Sequence, residues 1–483
     1  MAHFKQLLMT TAIFAVTIHH PTHAGEVEDT IIDKMVEAYG GKKFETLKSI
    51  TIYNDLRFGW LGQGHTADLV ELEPMRKIYD IDLIGMRGSE DAWGGRGGYS
   101  ERIIGTNDGQ TTINYMNNTY SEDTEANFYS HFGAEMRGSD TLMAYDLMKN
   151  RAKAVHKGQT MYLSSPHDII EYDMEGTSYE PQLWIDSKTG YISRISRDVP
   201  NNKWHYVFDS HKTADGITYA DDFALYSGDK MVEYTKSRSL KVNRVKESMF
   251  QIDKGIAPEP ESYDTSEITV DELAPGFHYA GQHAGFSAFI DAGDHIIGVG
   301  GYGGLKERFE AYQAAHGGDK PLRYQIVTHH HTDHLAGIAD ALELGAILVT
   351  PPSAVANIKK VAGEPIAGDR LQIIDDKKTS VGPVDVHIIS TTHAQEYALA
   401  YVPSVKAVYQ ADHYNGSYKN QGSPVNHAAM SMKTEIERLG LDVDYLYSAH
   451  TRKAEPWAVF EAMSKTYVAG PCPTGRKICR DLK

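Results

Sequence analysis

Four side chains able to bind a metal ion fall within six residues of one another in Tyr324–Gly337, which reads YQIVTHHHTDHLAG. His329, His331, Asp333 and His334 follow an apolar, strand-like run containing Ile326 and Val327. They precede a helical pattern of Leu335, Ile338 and Leu342. Residues two apart in an extended segment point to the same side, so His329 and His331 present their imidazoles together. Asp333 and His334 stand at the turn into the helix and face a second position. Zinc takes imidazole nitrogen and carboxylate oxygen, and a catalytic zinc site keeps one place open for water. A merely solvated loop accounts poorly for these four residues in this order, since strand, loop and helix are the setting a metal loop needs.

The H-x-H-x-D-H cluster resembles that of the metallo-β-lactamase-fold hydrolase superfamily, and the resemblance runs over about Ile268–Tyr467. It implies that His393, in IISTTHAQEYALAYVP, completes a first metal site. Asp412, in AVYQADHY, would bridge both metals, and His450, in VDYLYSAHTR, would close the second site. It also implies an αββα sandwich holding two zinc ions, although iron and manganese suit much the same donors. The implied chemistry is hydrolysis of an ester, lactone, thioester or phosphodiester by a hydroxide shared between the metals. Asp333 would orient that nucleophile and Asp412 would set the metal spacing. One position departs from the pattern: Gly300, in HIIGVGGYGG, stands where the family carries an aspartate supporting the metal loop, which leaves that loop's orientation unexplained. An aspartate at 412 also differs from true β-lactamases, so a β-lactamase is the lesser alternative. A second alternative is a periplasmic carrier of a lipid or other apolar ligand whose metals are structural.

At 483 residues the chain is too long for one core, and the expectation is an α+β protein in which an antiparallel β-rich domain precedes the sandwich. Residues 1–24 read as a signal peptide: Lys5, an apolar core over Leu7–Ile18, and Thr22-His23-Ala24 before the cut. The mature protein would then be periplasmic or secreted. That apolar run is shorter than the ~20 residues a membrane span needs, and no other stretch is long and apolar enough. Removing Lys5 takes the formal charge from −17 to −18, an acidic balance that disfavours nucleic acid and leaves a small molecule as the partner. Cys472 and Cys479 fall in the tail GPCPTGRKIC, where export would favour a disulfide between them.

The domains expected are 25–252, a linker at 253–272, the hydrolase-like unit at 273–470 and a tail at 471–483. Glu26–Tyr39 has helical periodicity and stops at Gly40-Gly41. From Leu47 to Phe250 short alternating runs such as SITIYNDLRF and KWHYVFDS give antiparallel sheet texture, with Trp184–Val199 the clearest hairpin and Ala134–Met148 a helical island. This half loosely resembles the curved sheet of periplasmic lipoprotein carriers. The linker follows from IAPEPESYDTSE, acidic and without periodicity. Beyond it strands and helices alternate, and each proposed ligand comes at or after the C-terminal end of a strand. Glu90–Ser100 reads as a flexible loop and His330 as structural or solvent-facing. Tyr302, His413, Tyr414, Lys419 and Arg452 are candidate substrate contacts.

Overall fold

The two-residue alternation of apolar side chains after Leu47 produces one continuous sheet of 14 strands in the computed structural model, which describes residues 25–95, 98–200, 202–316, 318–363, 365–374 and 376–470. The expected signal peptide and the Cys472–Cys479 pair lie outside the described residues. Ser49–Phe58 sits in the middle of the sheet, antiparallel to Glu73–Asp82 on one side and to Lys230–Val242 on the other. The two ends of this half of the chain therefore close on each other. The helix Glu26–Tyr39 buries Ile32, Met35, Val36 and Tyr39 in the core of this half. The island at Ala134–Met148 is two helices, Phe128–Met136 and Asp140–Lys149. Asn127 caps the first through a reciprocal pair of bonds with Ser130 and Ser139 caps the second, which is why one periodic stretch breaks in two.

One expectation for this half needs correcting: Glu90–Gly94 and Tyr99–Ser100, expected within a flexible loop, belong to an antiparallel strand pair, Arg87–Gly94 with Tyr99–Thr106. Glu90 and Asp91 survive inside it because Lys77 and Arg102 pair with them at 2.9 and 2.7 Å. Within 253–272, Ala257–Pro258 runs parallel to Thr119–Tyr120, and Thr269–Ala274 forms an edge strand. Backbone pairing at an edge leaves little side-chain periodicity to read.

From residue 269 onward two further sheets form, of seven strands (from Thr269–Ala274 to Leu371–Ile373) and six (from Lys378–Val381 to Glu455–Pro456). A single buried cluster joins Phe277, Ile297 and Ile326 of the first to Val386, Leu399 and Val408 of the second, so the two sheets pack face to face. The helix Leu305–His316 covers the outer side of the first with Leu305 and Phe309. His427–Leu439 packs against the second through Met432 and Ile436. Among the described residues, no helix is long and apolar enough to cross a membrane.

Candidate metal centre

Four strands of these two sheets end on one edge, and the seven residues singled out in the sequence meet there. His329 to His334 follow Leu322–Ile326, His393 follows Val384–Ile389, Asp412 follows Ala407–Tyr409 and His450 follows Tyr445–Tyr447. They form two groups whose donor atoms lie within 4.8 Å of one another: His329, His331, His393 and Asp412, then Asp333, His334, Asp412 and His450. Asp412 belongs to both. Its Oδ2 faces His393 Nε2 at 2.9 Å and His329 Nε2 at 3.2 Å, whereas its Oδ1 faces His334 Nε2 at 2.6 Å and His450 Nε2 at 2.9 Å.

The second nitrogens of the imidazoles decide what the first can do. His331 Nε2 donates to the Gly64 carbonyl at 3.0 Å and His450 Nδ1 to the Ala284 carbonyl at 2.8 Å. A carbonyl only accepts, so those nitrogens carry the protons, and in the neutral rings His331 Nδ1 and His450 Nε2 hold lone pairs. His331 Nδ1 and His334 Nε2 are buried without a hydrogen bond. His393 Nε2 and His329 Nε2 face each other at 3.2 Å beside the carboxylate. Lone pairs converging on an anionic oxygen repel unless a cation stands between them, and each unsatisfied buried atom costs about 1–3 kcal/mol. The donor set therefore fits metal-ion binding on either side of Asp412.

Without a cation the electrostatics favour a neutral His329 and an ionised Asp412, whereas burial lowers His450 but its bond to Asp412 outweighs this and shifts it up. Burial, then the charge of His331, pushes His329 well below the usual imidazole range, which keeps it a neutral ligand. Burial raises the Asp412 carboxyl, but the surrounding imidazoles, His334 foremost, outweigh it and hold it well below the carboxylate range.

A loop absent from the sequence reading completes the centre. Residues 59–72 leave the 14-stranded sheet between Ser49–Phe58 and Glu73–Asp82 and lie across the metal loop. Gln63 Nε2 donates to Asp333 Oδ1 at 2.8 Å, and the Gly62 carbonyl accepts from Thr332 N at 3.2 Å. The Gly64 carbonyl accepts from both His330 Nε2 and His331 Nε2, and His65 Nε2 donates to the Thr391 carbonyl at 3.0 Å. Gly62 has φ +68°, and a Cβ there would run into the Thr332 methyl. The only sequence signal is a glycine-punctuated polar run, GWLGQGHTAD, between two strands.

Gly300 is explained by space. Its φ is +92° and a side chain would strike the Tyr409 hydroxyl, while its carbonyl accepts from Gln325 Nε2 at 2.8 Å and Ser287 Oγ at 3.1 Å. An aspartate has no room, and Gln63 supports the metal loop from the other half of the chain.

The remaining candidates separate. Tyr302 stays at the centre, its ring 5.5 Å from that of His450. His330 is structural, buried and bonded to Gly64. His413 is buried, bonded to Thr391 Oγ1 at 2.8 Å and the Gln410 carbonyl at 3.1 Å, and burial with the charge of His393 pulls it down to about 3. Tyr414 donates to the Ser423 carbonyl, Lys419 pairs with Glu261, and Arg452 donates to the Asp264 carbonyl. Each of these three has a structural bond.

No family model matches the chain, and no curated protein matches its sequence. Solved structures do show likeness over about two fifths of it. A metallo-β-lactamase from Hirschia baltica is 14% identical, with a TM-score of 0.33, over 41% of this chain and 96% of that one. The metallo-β-lactamase FIM-1 from Pseudomonas aeruginosa, in a mono-zinc form, is 16% identical, with a TM-score of 0.34, over 43% and 96%. The inverting sec-alkylsulfatase Pisa1 from Pseudomonas sp. is 14% identical, with a TM-score of 0.32, over 41% and 40%. Likeness at this level says nothing about the reaction; the side chains at the sheet edge do.

Proposed function

We propose that this protein is an exported, dinuclear zinc-dependent hydrolase of small molecules carrying ester, lactone, thioester or phosphodiester bonds. The observation that carries the reading is Asp412, whose two carboxylate oxygens each face a different set of imidazoles. In this assignment His329, His331 and His393 hold one zinc, Asp333, His334 and His450 hold the other, and Asp412 is shared. Bound there, the two ions would supply Lewis acidity and acidify a water towards neutral pH. The chain's own residues orient these donors. Gly64 and Ala284 fix the tautomers of His331 and His450, and Gln63 restrains Asp333 so that its other oxygen stays directed at the site.

Three protein donors on each side plus one oxygen of the shared carboxylate give each ion four protein ligands, so water and substrate would enter as a fifth ligand. Two cations sharing one carboxylate would form a paired site able to clamp a substrate oxygen, which favours catalysis over a structural metal domain. The test is a panel of simple esters, lactones, thioesters, phosphodiesters and β-lactams, run on the zinc-loaded wild type, a chelated sample and Asp412→Ala. The expected result is chelator-sensitive hydrolysis outside the β-lactams that Asp412→Ala depresses even where some metal stays bound. A metal-loaded wild type inert across the whole panel would sink the reading.

A further inference from the structure

A second candidate site lies in the other half of the molecule. A cavity of about 910 Å³ runs between the 14-stranded sheet and the helix Phe128–Met136, a size in the upper part of the ~300–1,000 Å³ usual for small-molecule sites. Met75, Ile103, Phe132, Phe223, Leu225 and Val232 give it apolar walls. Trp60, Tyr99 and Tyr179 also line it and are 63%, 46% and 38% exposed, so they mark where it meets solvent.

The charged groups along this cavity differ in how they are satisfied. Lys77 Nζ lies 2.9 Å from Glu90 Oε1 and 3.4 Å from Glu135 Oε2, and His131 Nε2 is 2.6 Å from Glu90 Oε2. Glu90, His131 and Glu135 lie close enough to hold a cation, and the Lys77 ammonium already serves there. Burial raises Glu101 and lifts Glu233 to about 7, and a carboxyl can discard its charge by taking a proton. A guanidinium has no such exit.

Two guanidiniums on this cavity lack any carboxylate partner among the described residues. Arg137, only 7% exposed, donates from Nη1 to the Gly133 carbonyl at 2.6 Å and from Nε to the Tyr206 hydroxyl at 3.3 Å. Arg197 donates from Nε to the Tyr179 carbonyl at 3.2 Å and also neighbours Tyr206. Burial, then the like charge of Arg137, pulls Arg197 down. Arg238, a third, is bonded to Asn54 and Gly138 and feels the Asp140 carboxylate. Two neighbouring positive charges answered only by neutral oxygens, in a partly enclosed apolar space, call for an anion from outside.

We propose that this cavity binds an anionic amphiphile, an oxyanion head of the carboxylate, sulfate or phosphate kind on an apolar chain, with its head at Arg137 and Arg197 and its chain among Met75, Phe223 and Leu225. The proposal stands apart from the hydrolase reading. Its test is calorimetric titration of the full-length protein with decanoate, decyl sulfate, decyl phosphate, decanol and decylamine below their micelle concentrations. At least one anion is expected to bind about tenfold tighter than decanol, the margin a charge-assisted bond gives over a neutral one, with decylamine weakest; which anion leads identifies the head group. Arg137 is buried and its replacement can unfold this half of the chain, so Arg197→Gln carries the assignment. That variant should lose the anion's advantage and keep decanol binding, while Leu225→Trp, which fills the cavity, should weaken both. No binding at all, equal binding of amine and anion, or an Arg197→Gln variant with unchanged anion affinity would overturn the proposal.

Discussion

Gln63, in a loop of the 14-stranded half, donates a 2.8 Å hydrogen bond to Asp333 Oδ1 in the metal loop 270 positions away in sequence. The bond takes one oxygen of Asp333 and leaves the other, Oδ2, 3.3 Å from His334 Nε2. Partners that orient metal ligands are typically worth about 10–100-fold in metal affinity. Gln63→Ala is therefore expected to weaken the zinc proposed at Asp333, His334 and His450 by about tenfold or more, read by titrating the apo protein against a competing chelator. An unchanged affinity with an unchanged circular dichroism spectrum would remove Gln63 from the centre.

Gly300 gives a stability prediction. Its φ of +92° and its closeness to the Tyr409 hydroxyl mean that Gly300→Ala adds backbone strain and a clash together. Strain of this kind costs roughly 1–3 kcal/mol, so denaturant unfolding should show a loss in that range. A variant as stable as wild type would mean that the strand end yields more easily than its packing suggests.

The residues of this centre differ in how far the sequence reveals them. The metal loop was legible because its donors are packed into six residues after an apolar strand, where local periodicity and ligand chemistry coincide. His393, Asp412 and His450 were legible only through resemblance, each being one polar residue after one strand. Gln63 and Gly64 were not legible, because their role arises from a contact between chain segments far apart and neither residue type is a metal donor. The same reasoning separates the strands, whose alternation can be read one at a time, from their order in a 14-stranded sheet, which depends on which edges meet. The arginines of the cavity belong with Gln63: Arg137 lies on a helix end and Arg197 on a strand, and nothing local joins them.

Acid–base behaviour should show at Glu455, a buried residue whose carboxyl burial alone raises from 4.5 to about 7. Between those values the unfolded chain has released the proton that the folded chain still holds, so stability falls as pH rises through this window and levels off above about 7. Glu455→Gln keeps the shape without the titration. Relative to wild type it should gain up to about 3 kcal/mol between pH 4.5 and 7.5, measured by urea unfolding at both pH values. A wild-type–variant difference that does not change with pH would show that Glu455 ionises freely in the fold.

Export makes a separate prediction. Cleavage after Ala24 should leave Gly25 as the first residue of protein purified from its native source, which mass measurement of the N-terminus reads directly. Cys472 and Cys479 should be unreactive to thiol reagents until reduced. Retention of residues 1–24 in mature material would count against export.

Asp412→Asn isolates the bridging role. The carboxylate offers an acceptor oxygen to each group of imidazoles, 2.9 Å from His393 on one side and 2.6 Å from His334 on the other. Asparagine fills the same space but offers one acceptor and one amide NH2, which cannot ligate a cation. Whichever way the amide turns, one group keeps an oxygen and the other receives a donor aimed at imidazole lone pairs. The variant should therefore fold, bind about one zinc after dialysis instead of two, and lose most of its hydrolysis, since a shared carboxylate is what couples two such ions in one site. Elemental analysis on the folded variant gives the stoichiometry independently of any substrate. Two tightly held zinc ions in Asp412→Asn would mean that the groups bind their metals separately, and Asp412 would then be no bridge.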